Sequence, residues 1–532
     1  MLDSFFFDTA ASRADEPALW VDEHLYGYAE IAARATRIAE GLKLATDGLG
    51  ATRCLLFAHR SVAAYTGLLG ILKAGLAYVP LNPTVPAART AAVIEQAGAP
   101  IMLVDRRCAR LLDEVLSLLD DCPLVFLIDD DAREREHDGT AHAADNLCRL
   151  PRHTRDAQAA PASRTVTDLA YILFTSGSTG APKGVPISHA NGRAYVNAQL
   201  QQIGELPNAR YAQFCELTFD PSVHDMFVCW ANGGCLYVPK TVEPIYSASF
   251  IKEHAITHWC SVPSVAGFMQ QFRKLPADEF PSLRVTIFGG EPLPRPIVQA
   301  WRRAAPGTRV INVYGPTETT VGCASFEVTQ AFLDDPQHAV MPLGSAIDGM
   351  ELLIVDADLE PVAPGERGEL LIGGPQVARG YLSPDEVGNR RFVDRTYAGY
   401  RSPRWYRSAD AARDVRGQGI VFQGRLDTQV KIRGNRIELE EVEHVVQACS
   451  HAALCAVVAW PVDEAGRAGG LIAFVTGAQE SAAQILQACR QRLPVYAVPQ
   501  RIVMMDALPV NVNGKIDRKA LVEHCANSAV HS

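Results

Sequence analysis

The run Tyr171-Ile-Leu-Phe-Thr-Ser-Gly-Ser-Thr-Gly-Ala-Pro-Lys-Gly184 changes character in its middle. Residues 169–174 are apolar and predict a buried strand. The strand stops in hydroxyl residues and glycines. Thr175, Ser176, Ser178 and Thr179 bring side-chain donors. Gly177 and Gly180 allow a tight turn that lets backbone N–H groups approach an anion. Lys183 adds a point charge suited to phosphate, and Pro182 stiffens the exit. The spacing is not that of a Walker loop, because no Gly-Lys-Ser/Thr follows at the required distance. A flexible Gly/Ser turn between strands would explain the glycines alone. It does not explain four hydroxyl residues and a lysine within nine positions.

Phe-Thr-Ser-Gly-Ser-Thr-Gly-Ala-Pro-Lys-Gly resembles the signature of the adenylate-forming superfamily, which includes amino-acid adenylation domains, acyl-CoA synthetases and luciferases. The resemblance recurs in at least five ordered blocks across residues 15–520. It implies an α/β fold: a large N-terminal domain of parallel and mixed sheets with flanking helices (1–426), and a small mobile α+β C-terminal domain (427–532). It also implies ATP and Mg²⁺ as cofactors.

Composition agrees with a soluble globular chain of more than one domain: 532 residues, 48% hydrophobic and 21% charged. A net charge of −10 argues against a nucleic-acid partner. There is no signal-peptide pattern at the N-terminus and no membrane-length apolar run. Thirteen scattered cysteines without a Cys-x-x-Cys pair suggest reduced thiols, and a cytoplasmic location is expected. Helices are predicted over 33–42 and 62–77 and strands over 54–58 and 78–81. This alternation implies a parallel sheet covered by helices. Residues 129–167, polar and rich in Asp, Arg, His and Ala, read as an exposed linker.

Thr218-Phe-Asp-Pro-Ser222 sets Asp220 among apolar residues. A helix N-cap followed by Pro221 is one reading. The other is a carboxylate awaiting a cation. The stretch resembles the family block whose aspartate binds a substrate α-ammonium. That favours an α-amino acid over an aryl or fatty acid. His254 and His258 lie four apart, but without a glutamate after the first they do not resemble a zinc motif. The strand over 285–289 ends at Gly290-Glu291-Pro292, and such strand ends are where ligands sit in open parallel sheets.

Asn312-Val-Tyr-Gly-Pro-Thr-Glu318 resembles a second nucleotide block. Tyr314 offers a face for adenine and Asn312 an amide for its amino edge. Gly315 makes the turn, Thr317 can bond phosphate, and Glu318 can hold Mg²⁺. Trp405-Tyr-Arg-Ser-Ala-Asp410 resembles Tyr-Arg-Thr-Gly-Asp with Ser408 and Ala409 substituted. The ribose ligand Asp410 is kept, but alanine is poor where φ > 0 is needed. In the block that begins at Gly424, the resemblance implies Arg425 at ribose or phosphate, Asp427 as the hinge, and Gly434 in a loop facing the thiol tunnel. Asn511-Val-Asn-Gly-Lys515 resembles the block of the catalytic lysine. Thr175, Glu318 and Lys515 are thus the implied catalytic group, with 176–180, Lys183 and the 290–292 turn at the phosphates and nucleotide.

By the same resemblance the amino-acid pocket is lined by Asp220, Pro221, His224, Cys260, Ile287, Gly289, Val313, Val321 and Gly322. One firm charge, two glycines leaving volume, and His224 and Cys260 as polar contacts predict a neutral amino acid of small to medium size. Fourteen residues follow Arg518, so the expected acceptor is a separate phosphopantetheinylated carrier protein. Three other readings are disfavoured. An acyl-CoA ligase is opposed by Asp220. A silent binding protein is opposed by Lys183, Glu318, Asp410 and Lys515. A kinase-like NTPase is opposed by the missing Walker spacing.

Overall fold

The computed structural model describes residues 1–128, 148–149, 164–177, 181–335, 338–383, 388, 390–463, 466–511 and 516–529. The strand read from the opening run is Leu169–Thr175. It lies near one edge of a seven-stranded sheet in the order Cys148–Arg149, Leu124–Ile128, Ile101–Asp105, Arg53–Phe57, Ala77–Leu81, Leu169–Thr175, Lys183–Ser188. Every pairing is parallel except the last. The helix predicted over 62–77 is Val62–Ala74. Ser61 caps its start, and Gly75 ends it in the left-handed region at φ 92°. Most of the predicted linker lies outside the described residues.

A second sheet of nine strands has a parallel centre. His258–Ser261, Val285–Gly289 and Arg309–Tyr314 run side by side, then Ala324–Glu327 turns back antiparallel and Ser345–Ala346 forms the edge. Helices fill the crossovers, as right-handed parallel connections require. One hydrophobic cluster joins the two sheets, with Phe6, Trp230, Tyr171 and Ile311 fully buried within it. A five-stranded antiparallel sheet, built on the long strand Arg404–Val415, leans on the same body.

After Arg425 the chain forms the hairpin Val430–Ile432 with Asn435–Ile437, then the helix Leu439–Ser450. A three-stranded sheet, Leu454–Ala459, Leu471–Thr476 and Arg501–Met504, follows with helices Ala482–Arg490 and Arg518–Ala529. Its two hydrophobic clusters draw on residues after 429. The expected α/β body and smaller α+β part are therefore both present. Among the described residues no helix is long and apolar enough to cross a membrane.

Candidate active site

The carboxyl ends of the parallel strands and the hairpin 430–437 face one another, and most of the candidate residues meet there. Thr175 pairs with Lys183 across the antiparallel step. A side chain at Gly177 would put its Cβ 2.0 Å from the Ala181 carbonyl oxygen, so the loop closes only over glycine. The Lys183 ammonium stands 5.7 Å from the centre of the Tyr381 ring. Ser176 Oγ donates to the Arg436 carbonyl at 2.9 Å. Ser178, Thr179 and Gly180 lie outside the described residues, as does Lys515.

Glu318 is fully buried. Arg436 donates to both of its oxygens, at 3.0 and 2.8 Å, and the Tyr381 hydroxyl donates to one at 2.7 Å. Burial works to raise the carboxyl's pKa, but Arg436 and Tyr381 hold it below the ordinary glutamate range. The group is therefore ionised, which suits a divalent cation. Among the described residues no group of three or more His, Cys, Asp or Glu is arranged to hold a metal ion. A single carboxylate with substrate phosphates is nonetheless a normal Mg²⁺ environment. Glu318 fits that role only when Arg436 is elsewhere.

Asp410 accepts from Tyr314 and from Arg425, the latter at 2.7 Å. Arg425 and Arg391 both reach Asp427, at 2.6 and 2.9 Å. The predicted ribose and hinge residues thus form one charged chain. Ala409 does adopt the left-handed conformation, at φ 56°, which costs an alanine roughly 1–2 kcal/mol. Ser408 holds the turn by accepting from the Asp410 N–H and donating to the Leu370 carbonyl.

Two of the expected nucleotide residues also have protein partners. The Asn312 side chain is buried, and its amide nitrogen donates to the Pro342 carbonyl at 2.7 Å, which ties the strand to a loop and orients the amide. Glu291 accepts from Ser264 N–H and Oγ and from Gly434 N–H at 2.6 Å. In this arrangement its carboxylate latches the hairpin. Its neighbour Gly290 turns at φ 79°, and Pro292 carries the chain on toward the helix Arg295–Ala304.

Asp220 stands at an N-cap position with Pro221 next, but its side chain makes no capping bond. The purely structural reading of this residue therefore fails. The residue keeps a little surface at the cleft. Desolvation raises its carboxyl to about 6, against the opposing pull of the Thr317 hydrogen bond and the Lys431 charge. The helix that follows opens into a π-turn over His224–Val228, a local widening common at functional sites.

Beneath it lies a buried chain. Tyr195 Oη is 2.8 Å from His224 Nδ1, and His224 Nε2 is 2.9 Å from His258 Nε2. Burial pushes His224 down to about 3 and His258 well down too, so both imidazoles are neutral at pH 7. His254 packs instead on Trp20 at 4.2 Å. Desolvation also holds the nearby Cys260 thiol protonated.

The two pocket glycines do not simply leave volume. A Cβ at Gly289 would meet the Val313 carbonyl oxygen at 2.8 Å, and one at Gly322 the Val313 side chain at 2.5 Å. Their bareness admits Val313, which together with Ile287 narrows this side. Val321 enters the turn at φ 68°, and Gly315 meets the Gly322 backbone closely.

Sequence reasoning missed Lys431, Arg436 and Tyr381. Lys431 is half-buried and feels both Asp410 and Asp220; desolvation lowers its pKa against their pull. The signal was present in the block that begins at Gly424, where both basic residues stand, but their partners lie far away in the chain.

Residues 6–382 match the AMP-binding enzyme family, and 441–515 match the AMP-binding enzyme C-terminal domain. An L-proline--[L-prolyl-carrier protein] ligase of Pseudomonas fluorescens is 34% identical over 88% of this chain and 88% of its own length. A linear gramicidin synthase of Brevibacillus parabrevis is 33% identical over 93% of this chain, which spans only 6% of that protein. The crystal structure of the Vibrio cholerae adenylation domain AlmE in complex with glycyl-adenosine-5'-phosphate superposes with a TM-score of 0.84 at 29% identity, covering 99% of this chain and 98% of that one.

Proposed function

Because the chain belongs to the AMP-binding enzymes, we propose that it activates a neutral α-amino acid. The substrate carboxylate attacks the α-phosphorus of ATP, the bond to pyrophosphate breaks, and an aminoacyl adenylate forms. A phosphopantetheine thiol of a separate carrier protein then attacks the acyl carbon, AMP leaves, and the thiol proton passes to solvent. The observation that carries this reading is Asp220, a largely desolvated carboxylate beside the strand ends that caps nothing. A desolvated carboxylate of this kind calls for a cationic partner, and an α-ammonium supplies one. The likeness to a prolyl-carrier protein ligase and to a domain holding a glycyl adenylate supports the same assignment.

In this reading Thr175, Ser176 and Lys183 hold phosphates, Tyr314 packs on adenine, and Asp410 and Arg425 take the ribose. Glu318 would hold the Mg²⁺ that accompanies ATP, which neutralises phosphate charge. His224, Cys260, Ile287 and Val313 bound the side-chain pocket, and the boundary between the two domains falls at Asp427. Lys515 supplies positive charge at the developing oxyanion. The protein's contribution is positioning and preorganised charge. A panel of amino acids in an ATP–pyrophosphate exchange assay tests the reading. One neutral amino acid should dominate, whereas best activity with a cationic amino acid or an aryl acid would refute it.

Acid should weaken amino-acid capture. Asp220 has a carboxyl pKa of about 6 and pairs with an ammonium only when ionised. Its raised value means the carboxyl is neutral below pH 6, so kcat/KM for the amino acid should fall about tenfold per pH unit on that side. A profile flat to pH 5 would exclude Asp220 as the ammonium partner.

Asp427→Pro fixes φ at the hinge and removes the carboxylate that Arg391 and Arg425 hold. Exchange should persist while thioester formation stops. Equal loss of both activities would remove the hinge role.

A further inference from the structure

Glu318 never sits without a positive neighbour in this arrangement, and the neighbour is a protein side chain. Its carboxylate has no exposed surface, so leaving it uncompensated would be heavily penalised. Arg436 meets it with one nitrogen at 3.0 and 2.8 Å from its two oxygens, and Tyr381 adds a third hydrogen bond. A divalent cation the size of Mg²⁺ needs one of those oxygens at about 2.1 Å in near-octahedral geometry. The guanidinium spans both oxygens, so a cation that takes either of them competes with it.

Arg436 is not an isolated side chain. It lies on the strand Asn435–Ile437 of the hairpin, and its own carbonyl receives the Ser176 hydroxyl at 2.9 Å. Gly434, at the tip, donates to Glu291 at 2.6 Å. The side chain that compensates Glu318 is thus carried by the element that covers the phosphate loop.

We propose that Arg436 is the protein's own substitute for the divalent cation on Glu318, so that hairpin docking and metal–nucleotide binding exclude each other. The inference rests on the reading of this cleft as the ATP site. By linkage, the docked hairpin weakens metal binding by the factor by which bound metal weakens docking. Arg436 withdraws when ATP arrives with its cation, and Glu318 stays compensated. Arg436 returns when the cation leaves with pyrophosphate, and docking follows. The order of the two half-reactions is set by one carboxylate that accepts one of two cations.

The test uses the full chain, a non-hydrolysable ATP analogue with a methylene bridge between the α- and β-phosphorus atoms, and Mg²⁺. Hydrogen exchange of peptides covering 430–437 is followed by mass spectrometry, and calorimetry gives the Mg²⁺ dependence of analogue binding. In the unaltered protein the analogue with Mg²⁺ should speed exchange in the hairpin, while the analogue with EDTA should not. Arg436→Gln should lower the half-saturating Mg²⁺ at least about threefold, by removing the docked competitor. Arg436→Lys, which keeps a charge but not the guanidinium's reach and shape, should fall between. An unchanged Mg²⁺ requirement in Arg436→Gln, with the analogue still bound, would overturn the inference and leave the ATP reading intact. Hairpin exchange in the unaltered protein that ignores Mg²⁺ would overturn it without any variant. Failure of the analogue to bind at all would overturn both.

Discussion

Lys515→Ala should lower amino-acid-dependent ATP–pyrophosphate exchange by about 10²–10³, the scale of one lost preorganised donor at a developing oxyanion. The loss should fall in kcat more than in KM, because the charge is needed in the transition state and not for ground-state binding. The same variant given chemically made aminoacyl adenylate should load a thiol at a near-normal rate. That contrast follows from the positions of the flanking residues. Val510 bridges to Ile516, and Arg518 pairs with Glu443, all within the C-terminal part. Meanwhile the hairpin 430–437 is held to Ser176 and Glu291 of the large N-terminal part. Lys515 and the hairpin should therefore serve different half-reactions. Near-normal exchange by Lys515→Ala would remove the assignment, and equal damage to both half-reactions would remove the division of labour.

Asp220→Ala should all but remove activation at ordinary substrate concentrations. Truncating one partner of a buried charge pair, as this one becomes with substrate seated, costs about 2–5 kcal/mol, most of it from the charge left unpaired. The loss in kcat/KM should therefore lie between about 30-fold and about 4,000-fold. Asp220→Asn keeps the shape and a hydrogen-bond acceptor but no charge, so it should not restore activity. Nucleotide binding, measured separately, should be retained, since Tyr314, Asp410 and Arg425 form their own network. An Asp220→Asn protein with ordinary kcat/KM would place the ammonium elsewhere.

These expectations show what a sequence can carry. The strand Leu169–Thr175 was legible because an apolar run ending in glycines and hydroxyls has few other uses. Asp220 was legible as a polar intrusion between Phe219 and Pro221, though only the structure separated the capping alternative from a carboxylate without a cap. Pairings across long separations were not legible. Arg436 meets Glu318 across 118 positions, and Tyr381 meets it across 63. No periodicity announces such contacts, because they arise when a hairpin from one part of the chain docks on strand ends of another.

The protein partners of Asn312 and Glu291 were hidden for a related reason. Their side chains are claimed by Pro342, Ser264 and Gly434, which a local motif does not include. Gly289 and Gly322 suggested an open pocket, whereas Val313 fills the room they leave. Ala409 carries the opposite lesson. A glycine-favouring conformation survives an alanine when Ser408 and the neighbouring strand over-determine the turn.

The central claim is that an amino acid is activated with ATP and then passed to a carrier's thiol. Intact-mass measurement of a holo-carrier protein from the same pathway, incubated with enzyme, ATP, Mg²⁺ and the preferred amino acid, tests it most directly. The expected product is a carrier heavier by one aminoacyl group, formed only with ATP and lost on mild thiol treatment. An unmodified carrier, together with efficient acylation of free coenzyme A under the same conditions, would contradict it in favour of an acyl-CoA ligase.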